Sequence, residues 1–314
     1  ALDDSRVWQA AGWDTIPVWR IEEEVGGIAT TTWVDEDGRL VRSESPLGFT
    51  IERTEYELAS QAWNSEVAQA ADEGYGMLIE STAIASNAQL DESAGVERLR
   101  VRLVGVELEG FDLAGGRQRL DGDTLTIDTE RRDALRAGYR LPYAGGGEAA
   151  TELAATPLIQ SRDPRIMAQA RSIAGAERDP VAVALLLNDW VYGALRKDIT
   201  LSVPSALQVL EARQGDCNEH TVLYVALARA LGLPARTAVG LVSVNGRFYY
   251  HAWPEVWLDR WVAVDPTLGQ FPADATHLRV LVGDLVRQLE LVRLIGRLEL
   301  DVVGTGASTG GADE

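Results

Sequence analysis

The chain has 314 residues, of which 46% are apolar, and a formal net charge of −19 at pH 7. This length is enough for two domains with cores of their own. The negative charge argues against nucleic acid as a partner and against adsorption to anionic membrane surfaces. The longest apolar run, 181–187, is too short to cross a bilayer, so we expect no integral membrane segment.

Residues 1–145 show mainly strand patterns, and we expect a β-rich N-terminal domain whose role the sequence does not indicate. Two strand-like runs flank the turn 35–38. Leu99, Val101 and Leu103 alternate with arginines, which predicts a half-buried strand. The alternation then shifts phase around Gly105, which indicates a bulge or burial on both faces. A helix is predicted near 59–71.

The glycine run 145–147 predicts a linker over 146–162. Beyond it, an aspartate followed by proline at 163–164 and again at 179–180 is typical of a helix start. A third helix is predicted from Ser205 to near Gly215. We expect a core domain over 163–303, with strands at 248–258, 261–264 and within 277–303. The polar, glycine-rich segment 304–314 is predicted to be a disordered tail.

The single cysteine, Cys217, lies at the start of a helix predicted over 217–231. Asp216 is a good N-cap, and Glu219 three residues later completes a capping box. The positive end of the helix dipole would favour a thiolate at Cys217, and backbone N–H groups there could stabilise an oxyanion. Taken alone, a lone cysteine is more often a small buried hydrophobe.

His251 lies in an aromatic, strand-like run, and Asp265 ends the next one. A thiol, an imidazole and a carboxylate are the parts of a nucleophilic acyl-transfer centre. The connection between the two strands decides whether the imidazole and the carboxylate can meet. A two-residue loop would place them on opposite faces, whereas a three-residue loop, or a bulge at Pro254, would place them on one face. In the alternative reading, Asp265 is a turn residue before Pro266.

These residues lie in blocks that resemble the core of the transglutaminase-like superfamily of papain-like thiol enzymes. The blocks are Gly215–Cys217, the run 226–236, His251–Trp253 and Asp265–Thr267. The resemblance implies an α+β fold, a papain/transglutaminase-like core of helices packed on an antiparallel sheet, preceded by the β-rich domain. It also implies that Cys217 is the nucleophile, His251 the base and Asp265 the orienting acid.

Other residues near the triad are weaker candidates. Gln214 or Trp190 could donate to an oxyanion, and Trp253 and His220 could support the triad. Cys217, His220, His251 and Asp265 could in principle bind zinc, but the spacing is not that of a finger and a second thiol is missing, so we expect no metal and no cofactor. His277 is interpreted as a surface residue.

The predicted function is a cysteine-dependent amide-bond enzyme that forms a thioester with a protein or peptide substrate. Water resolving the thioester gives a peptide or amide hydrolase, which we favour because no acyl-acceptor site is evident; an amine gives a transamidase. A non-catalytic binding or scaffold module is the alternative from another class. The resemblance and the missing initiator methionine favour a bacterial, periplasmic or secreted protein, with a cytoplasmic location as the alternative. The oligomeric state is not indicated.

Overall fold

The computed structural model describes residues 2–10, 14–25, 28–36, 38, 40–44, 50–52, 83–90, 95–198, 205–283, 285–294 and 296–306. The chain divides into two compact units, residues 1–83 with 292–295, and residues 84–291 with 296–314. The division falls near residue 83, whereas the sequence placed a boundary at the glycine run 145–147. Within the described residues, no helix has both the length and the apolar character needed to span a bilayer.

The described part of the first unit contains a five-stranded antiparallel sheet in the order β1-β2-β3-β4-β5. Its strands are β1 (Leu2–Ala10), β2 (Asp14–Val25), β3 (Ile28–Val34), β4 (Leu40–Glu44) and β5 (Thr50–Glu52). The predicted hairpin at 35–38 joins β3 to β4, and the Gly38 N–H donates to the Asp35 carbonyl. The β-rich N-terminal region is therefore confirmed, and the helix predicted near 59–71 lies outside the described residues.

The second unit contains a five-stranded sheet and a four-stranded sheet. The larger has the order β6-β16-β7-β9-β8, from β6 (Ala85–Ser86), β7 (Arg98–Val104), β8 (Gln118–Asp121), β9 (Thr124–Asp128) and β16 (Glu299–Gly306). The smaller is antiparallel, with the order β14-β13-β12-β15, from β12 (Ala235–Val244), β13 (Arg247–Trp257), β14 (Trp261–Ala263) and β15 (Leu278–Val282). A short parallel pair joins β10 (Arg196–Lys197) to β11 (Gln214–Gly215).

The helices of the described residues are α1 (Glu148–Thr151), α2 (Pro164–Ala174), α3 (Pro180–Ala194), α4 (Ala206–Ala212), α5 (Cys217–Ala230) and α6 (Leu285–Gln288), with 3-10 turns at Arg132–Ala134 and Leu289–Arg293. The sequence predicts the starts of α2 to α5, but it does not predict α6, or α1, which lies inside the predicted linker 146–162. Asp163 and Asp179 accept hydrogen bonds from backbone N–H groups in the first turns of α2 and α3, each with proline at the next position. Ser205 caps α4 in the same way. These bonds satisfy N–H groups that a helix start otherwise leaves unpaired.

Helix α5 lies at the centre of the core of the second unit. It contacts α2, α3 and α4 as well as strands β12 and β13. Its side chains from Leu223 to Ala228 are completely buried. A helix that is apolar all round belongs in the interior of a protein. The N-terminus of α5, which carries the cysteine, is therefore fixed by the packing of the whole core.

The structure corrects three predictions about the strands. Strand β7 ends at Val104, so the phase shift around Gly105 marks the end of a strand and neither a bulge nor burial on both faces. The segment 277–303 supplies only β15 to the sheet beside α5, because β16 pairs with β6 and β7 in the other sheet. Residues 304–306, predicted to be part of a disordered tail, form the end of β16.

Candidate active site

Cys217 is the first residue of α5 and is partly exposed. The predicted capping box is present: the Asp216 carboxylate accepts from the Asn218 N–H at 2.8 Å, and the Glu219 carboxylate accepts from the Asp216 N–H at 3.0 Å. The cap uses the second and third N–H groups of the helix. The capping box therefore does not use the N–H of Cys217, which is at the first helical position.

The loop between β13 and β14 has the length that the triad requires. Glu255 pairs with Ala263 and Trp257 pairs with Trp261, so the connection is the three-residue loop 258–260. Asp259 has a φ of 60° in this loop. The prediction that a three-residue loop would place His251 and Asp265 on one face is confirmed, since His251 Nε2 lies 2.8 Å from Asp265 Oδ2.

The three predicted triad side chains lie next to one another. The Cys217 side chain is close enough to the His251 imidazole to help raise the pKa of the ring. Because Nε2 of His251 is bound to Asp265, Nδ1 is the ring nitrogen that remains for the sulfur. The second oxygen of Asp265, Oδ1, accepts from the Thr267 and Leu268 N–H groups at 2.7 and 2.9 Å. Asp265 is therefore a buried acceptor, not only a turn residue.

Charge around His251 favours the protonated ring. Burial by itself would lower the pKa of His251, but the Asp265 carboxylate and the hydrogen bond to Cys217 raise that pKa to about 9. Burial would likewise raise the pKa of Asp265, but the imidazoles of His251 and His277 hold it well below its ordinary value. A protonated imidazole at this position can give its proton to a leaving group.

His277 is part of this cluster, and its interpretation as a surface residue is wrong. It is only 1% exposed, and its Nε2 lies 2.8 Å from Oδ2 of Asp265, the same oxygen that His251 contacts. Its Nδ1 lies 3.3 Å from Oδ1 of Asp274. Sequence analysis missed it because a lone histidine in a loop carries no periodic pattern. The signal available was the aspartate three residues earlier.

Two carboxyl groups at the start of α5 are close enough to affect each other. Burial and the neighbouring Glu219 carboxylate raise the pKa of Asp216 to about 7. Two carboxylates that share a site cannot both ionise freely. The Asp216–Glu219 pair thus carries less than its full negative charge at neutral pH, which reduces repulsion of a thiolate at Cys217.

The weaker candidates from the sequence occupy different surroundings. Trp253 is buried and stacks on the His251 ring at 6.1 Å, with its edge toward His277. Gln214 accepts from Arg196 through Oε1 at 2.7 Å, so its NH₂ group is the end available as a donor. Trp190 lies 4.6 Å from the Arg213 guanidinium, and no described contact links it to Cys217.

His220 is completely buried one turn after Cys217. Its Nδ1 lies 2.6 Å from the Asp216 carbonyl, and Nε2 is buried without a hydrogen-bond partner. Burial lowers the pKa of His220, which keeps the ring neutral. Since a carbonyl only accepts, Nδ1 carries the proton, and His220 helps to fix the first turn of α5.

The cluster around Asp265 contains residue types that can bind a metal ion. Within the described part of the chain, the group with ligand atoms close together is His251, Asp265 and His277, at distances within 4.8 Å. Hydrogen bonds to one carboxylate oxygen account for this closeness. The softer ligand, Cys217, is not in this group. The set Cys217, His220, His251 and Asp265 is therefore not gathered around one point, and we assign no metal ligands.

One known family matches this part of the chain. Residues 167–266 match the profile of the Transglutaminase-like superfamily. The match includes Cys217, His251 and Asp265 and ends before His277. A search of curated proteins found no match.

Solved structures give transglutaminase-like neighbours at low identity. A protein from Cytophaga hutchinsonii, described as a proposed cysteine protease, is 17% identical over 69% of this chain and 92% of its own, with a TM-score of 0.47. The periplasmic domain of TgpA from Pseudomonas aeruginosa is 17% identical over 55% and 70%, with a TM-score of 0.38. Red sea bream transglutaminase is 16% identical over 56% and 47%, with a TM-score of 0.32.

Proposed function

We propose that this transglutaminase-like protein is a cysteine-dependent hydrolase of peptide or amide bonds that acts through a thioester. Cys217 is the nucleophile, His251 the general acid and base, and Asp265 the residue that orients His251. The observation that carries the proposal is the His251 imidazole, which is hydrogen-bonded to the fully buried Asp265 carboxylate at 2.8 Å and lies close enough to Cys217 for that side chain to raise the pKa of the ring. This is the arrangement required for an activated thiol nucleophile.

The proposed reaction has two steps. The Cys217 thiolate attacks the carbonyl carbon, the carbonyl oxygen takes the negative charge, and the C–N bond breaks as the His251 imidazolium gives its proton to the departing amine. Water then attacks the thioester and gives a proton to the neutral imidazole. The C–S bond then breaks, which releases the carboxylic acid and restores the Cys217 thiolate beside a protonated His251.

The oxyanion needs donors placed before the reaction begins. The Cys217 N–H at the positive end of α5 supplies one, because the capping box does not use it. We propose the Gln214 amide as the second donor, since Gln214 precedes Cys217 by three residues and its NH₂ end is available. Trp190 stays a weaker candidate for this role.

The triad is common to hydrolysis and to transamidation, so the acceptor decides between them. We keep hydrolysis as the proposal and transamidation of a glutamine side chain as its alternative. The net charge of −19 suits a substrate that is neutral or basic near its reactive group. A scaffold role is less well supported, because a scaffold has no need of an imidazole held protonated beside a thiol. The exported location and the bacterial source remain predictions.

Intact-protein mass spectrometry with a library of peptide amides tests the proposal. The wild-type protein should show a transient mass increase equal to the acyl group, removable by hydroxylamine, and release of ammonia or amine without added acceptor. Cys217→Ala should show neither. If an added amine is incorporated into the substrate faster than the acyl-enzyme is hydrolysed, that result would instead establish transamidation. An unreactive thiol and no acyl-enzyme with any substrate would contradict both.

A further inference from the structure

Four ionisable side chains, from His251 to Asp274, lie in a row behind the proposed nucleophile. Oδ2 of Asp265 faces Nε2 of both His251 and His277, each at 2.8 Å. On its far side, His277 faces the carboxylate of Asp274 through Nδ1 at 3.3 Å. The side chains of Asp265 and His277 are 0% exposed, and that of Asp274 is 16% exposed. The proposed triad supplies only two members of this row, His251 and Asp265.

Both ring nitrogens of His277 face carboxylate oxygens. An ionised carboxylate has only acceptor atoms, so each nitrogen must carry a proton to make its bond. His277 is then an imidazolium held between two carboxylates. Burial acts against this charge, but the bonds to Asp265 and Asp274 raise the pKa of His277 above its ordinary value. Burial would also raise the pKa of Asp274, but His277 holds it below its usual range.

We propose that His277 is a positioning residue of the catalytic centre, which holds the Asp265 carboxylate in place and shares its negative charge with His251. The inference rests on the proposed function and deepens it. Oδ1 of Asp265 is fixed by backbone N–H groups, and His277 contacts Oδ2, the oxygen that His251 also contacts. The carboxylate therefore cannot rotate away when His251 gives up its proton.

Sharing one oxygen also limits how strongly Asp265 holds the His251 proton. A carboxylate bound to one imidazolium alone stabilises it more than a carboxylate bound to two. The His251 and His277 rings are 5.8 Å apart, so the charge on His277 also repels the charge on His251 directly. Both effects lower the affinity of His251 for its proton, which it must release in each catalytic cycle.

His277 is itself held by neighbouring elements. Asp274, three residues earlier, also accepts from the N–H and the hydroxyl of Thr276. The backbone carbonyls of Ala273 and Asp274 accept from the buried Arg117 guanidinium, just before β8. The edge of Trp253 packs against the His277 ring at 5.2 Å. The charged side chains that contact His277 directly are thus Asp265 and Asp274, with His251 across Asp265.

A matched pair of substitutions separates the two parts of the proposal. His277→Gln keeps an N–H donor near the position of Nε2, and so keeps a bond to Asp265, but it removes the charge. His277→Asn places its amide near the position of Nδ1, so it keeps a partner for Asp274 and loses the bond to Asp265. A purely structural role would lower stability in both variants and leave the ionisation of His251 where it was.

The measurement is a pH titration of the imidazole rings by NMR on protein labelled with ¹⁵N-histidine. The chain has three histidines, so each ring can be assigned from the variants. In the wild type, His277 should stay doubly protonated well above its ordinary pKa of about 6.5. In His277→Gln, the titration of His251 should move up by about one pH unit or more, as expected for loss of a unit charge at this distance.

Alkylation of Cys217 by iodoacetamide at pH 7 provides the second readout. His277→Gln should react within about threefold of the wild-type rate. His277→Asn should react about tenfold more slowly or less, the scale seen when a residue that holds a site residue by a hydrogen bond is lost. An unchanged His251 titration in His277→Gln, or wild-type His277 losing its proton near pH 6.5, would overturn the proposal. Titration in a Cys217→Ala background separates this outcome from failure of the proposed function, because it needs no reactive thiol.

Discussion

The fully buried carboxylate of Asp265 takes part in four hydrogen bonds, two at each oxygen. Two backbone N–H groups fix Oδ1, and two imidazoles share Oδ2. A buried carboxylate is costly unless it is paired and hydrogen-bonded. Here the pairing is also what keeps His251 protonated. The structural and the chemical roles of Asp265 therefore depend on the same charge.

Replacing Asp265 by Asn should remove turnover while the protein stays folded. The Asn oxygen can still accept from the Thr267 and Leu268 N–H groups, but its NH₂ group would face two imidazole N–H donors. One ring must then give up its proton or turn away. We expect turnover to fall about 10⁴-fold, as for other triads that lose the carboxylate, and the pKa of His251 to fall.

Circular dichroism and histidine NMR of Asp265→Asn distinguish the possible roles. A folded protein with a lowered His251 pKa and little turnover is the expected result. Loss of folding would show that Asp265 is chiefly structural. Full turnover, or a His251 ring that titrates as in the wild type, would contradict the assigned role.

Cys217→Ala should abolish acyl-enzyme formation and barely change stability. The side chain is partly exposed at the first position of a helix, where alanine is well tolerated. We expect the free energy of unfolding in urea to change by less than about 1 kcal/mol. Cys217→Ser is the matched variant that keeps a hydroxyl near His251. A large loss of stability in both would indicate a packing role for the thiol.

At the scale of single elements, the capping box of α5 sets the position of the nucleophile. Glu219→Ala removes the acceptor for the Asp216 N–H and should cost about 1 kcal/mol of stability. Glu219→Gln keeps an acceptor oxygen and should cost less. Denaturation in urea measures both. Equal losses in the two variants would show that the carboxylate charge matters more than the cap.

Local signals in the sequence were enough to predict the elements that carry the triad. Proline after aspartate marks the starts of α2 and α3, and the Asp216–Glu219 spacing marks the start of α5. The spacing of His251 and Asp265 predicts that the triad needs a three-residue loop between β13 and β14, and that loop is present. Each of these signals acts within a few residues, so a single sequence contains it.

The parts that sequence analysis missed depend on distant contacts. His277 is buried because β15 and its preceding loop fold back onto the hairpin. The guanidinium of Arg117, which lies 156 positions from Ala273, reaches the carbonyls of that loop. Neither residue lies in a periodic pattern, so the sequence around each gives no indication of burial. The prediction that 277–303 adds its strands to one sheet is wrong for the same reason, because β15 and β16 belong to two different sheets of the second unit.

At the scale of the whole unit, Arg117 connects the segment before β8 with the loop that carries Asp274. Its guanidinium is 3.2 Å from Glu130, and both side chains are buried. Burial raises the pKa of Glu130, and Arg117 opposes that rise. Arg117→Ala leaves this carboxyl buried without its cation, so we expect a loss of about 3–5 kcal/mol in the free energy of unfolding.

The double variant Arg117→Ala with Glu130→Gln is the control for this prediction. Removing the orphaned charge should restore part of the stability, while the backbone carbonyls of Ala273 and Asp274 stay without their donor. Thermal unfolding of the two variants and the wild type measures the difference. Equal stability of the single and the double variant would show that the ion pair is not what Arg117 contributes.

Stability should also depend on pH through the triad. The folded-state pKa of His251 is raised to about 9, so its contribution is fully present below about 6.5 and is lost as the pH rises through 9. The pKa of Asp265 is lowered, so its contribution is present above about 3.9 and is lost as the pH falls. Urea unfolding at pH 6 and 9.5 should show a decrease that is smaller in His251→Gln.

The most direct test of the central claim is the rate of Cys217 alkylation by iodoacetamide as a function of pH, in the wild type and in His251→Ala. Cys217 is the single cysteine, so the product is unambiguous by mass. A thiolate–imidazolium pair predicts fast alkylation already at pH 6 to 7 in the wild type, and a rate in His251→Ala that rises only near pH 8.5, as for an ordinary thiol. The same pH profile in both proteins, or a thiol that does not react, would contradict the account.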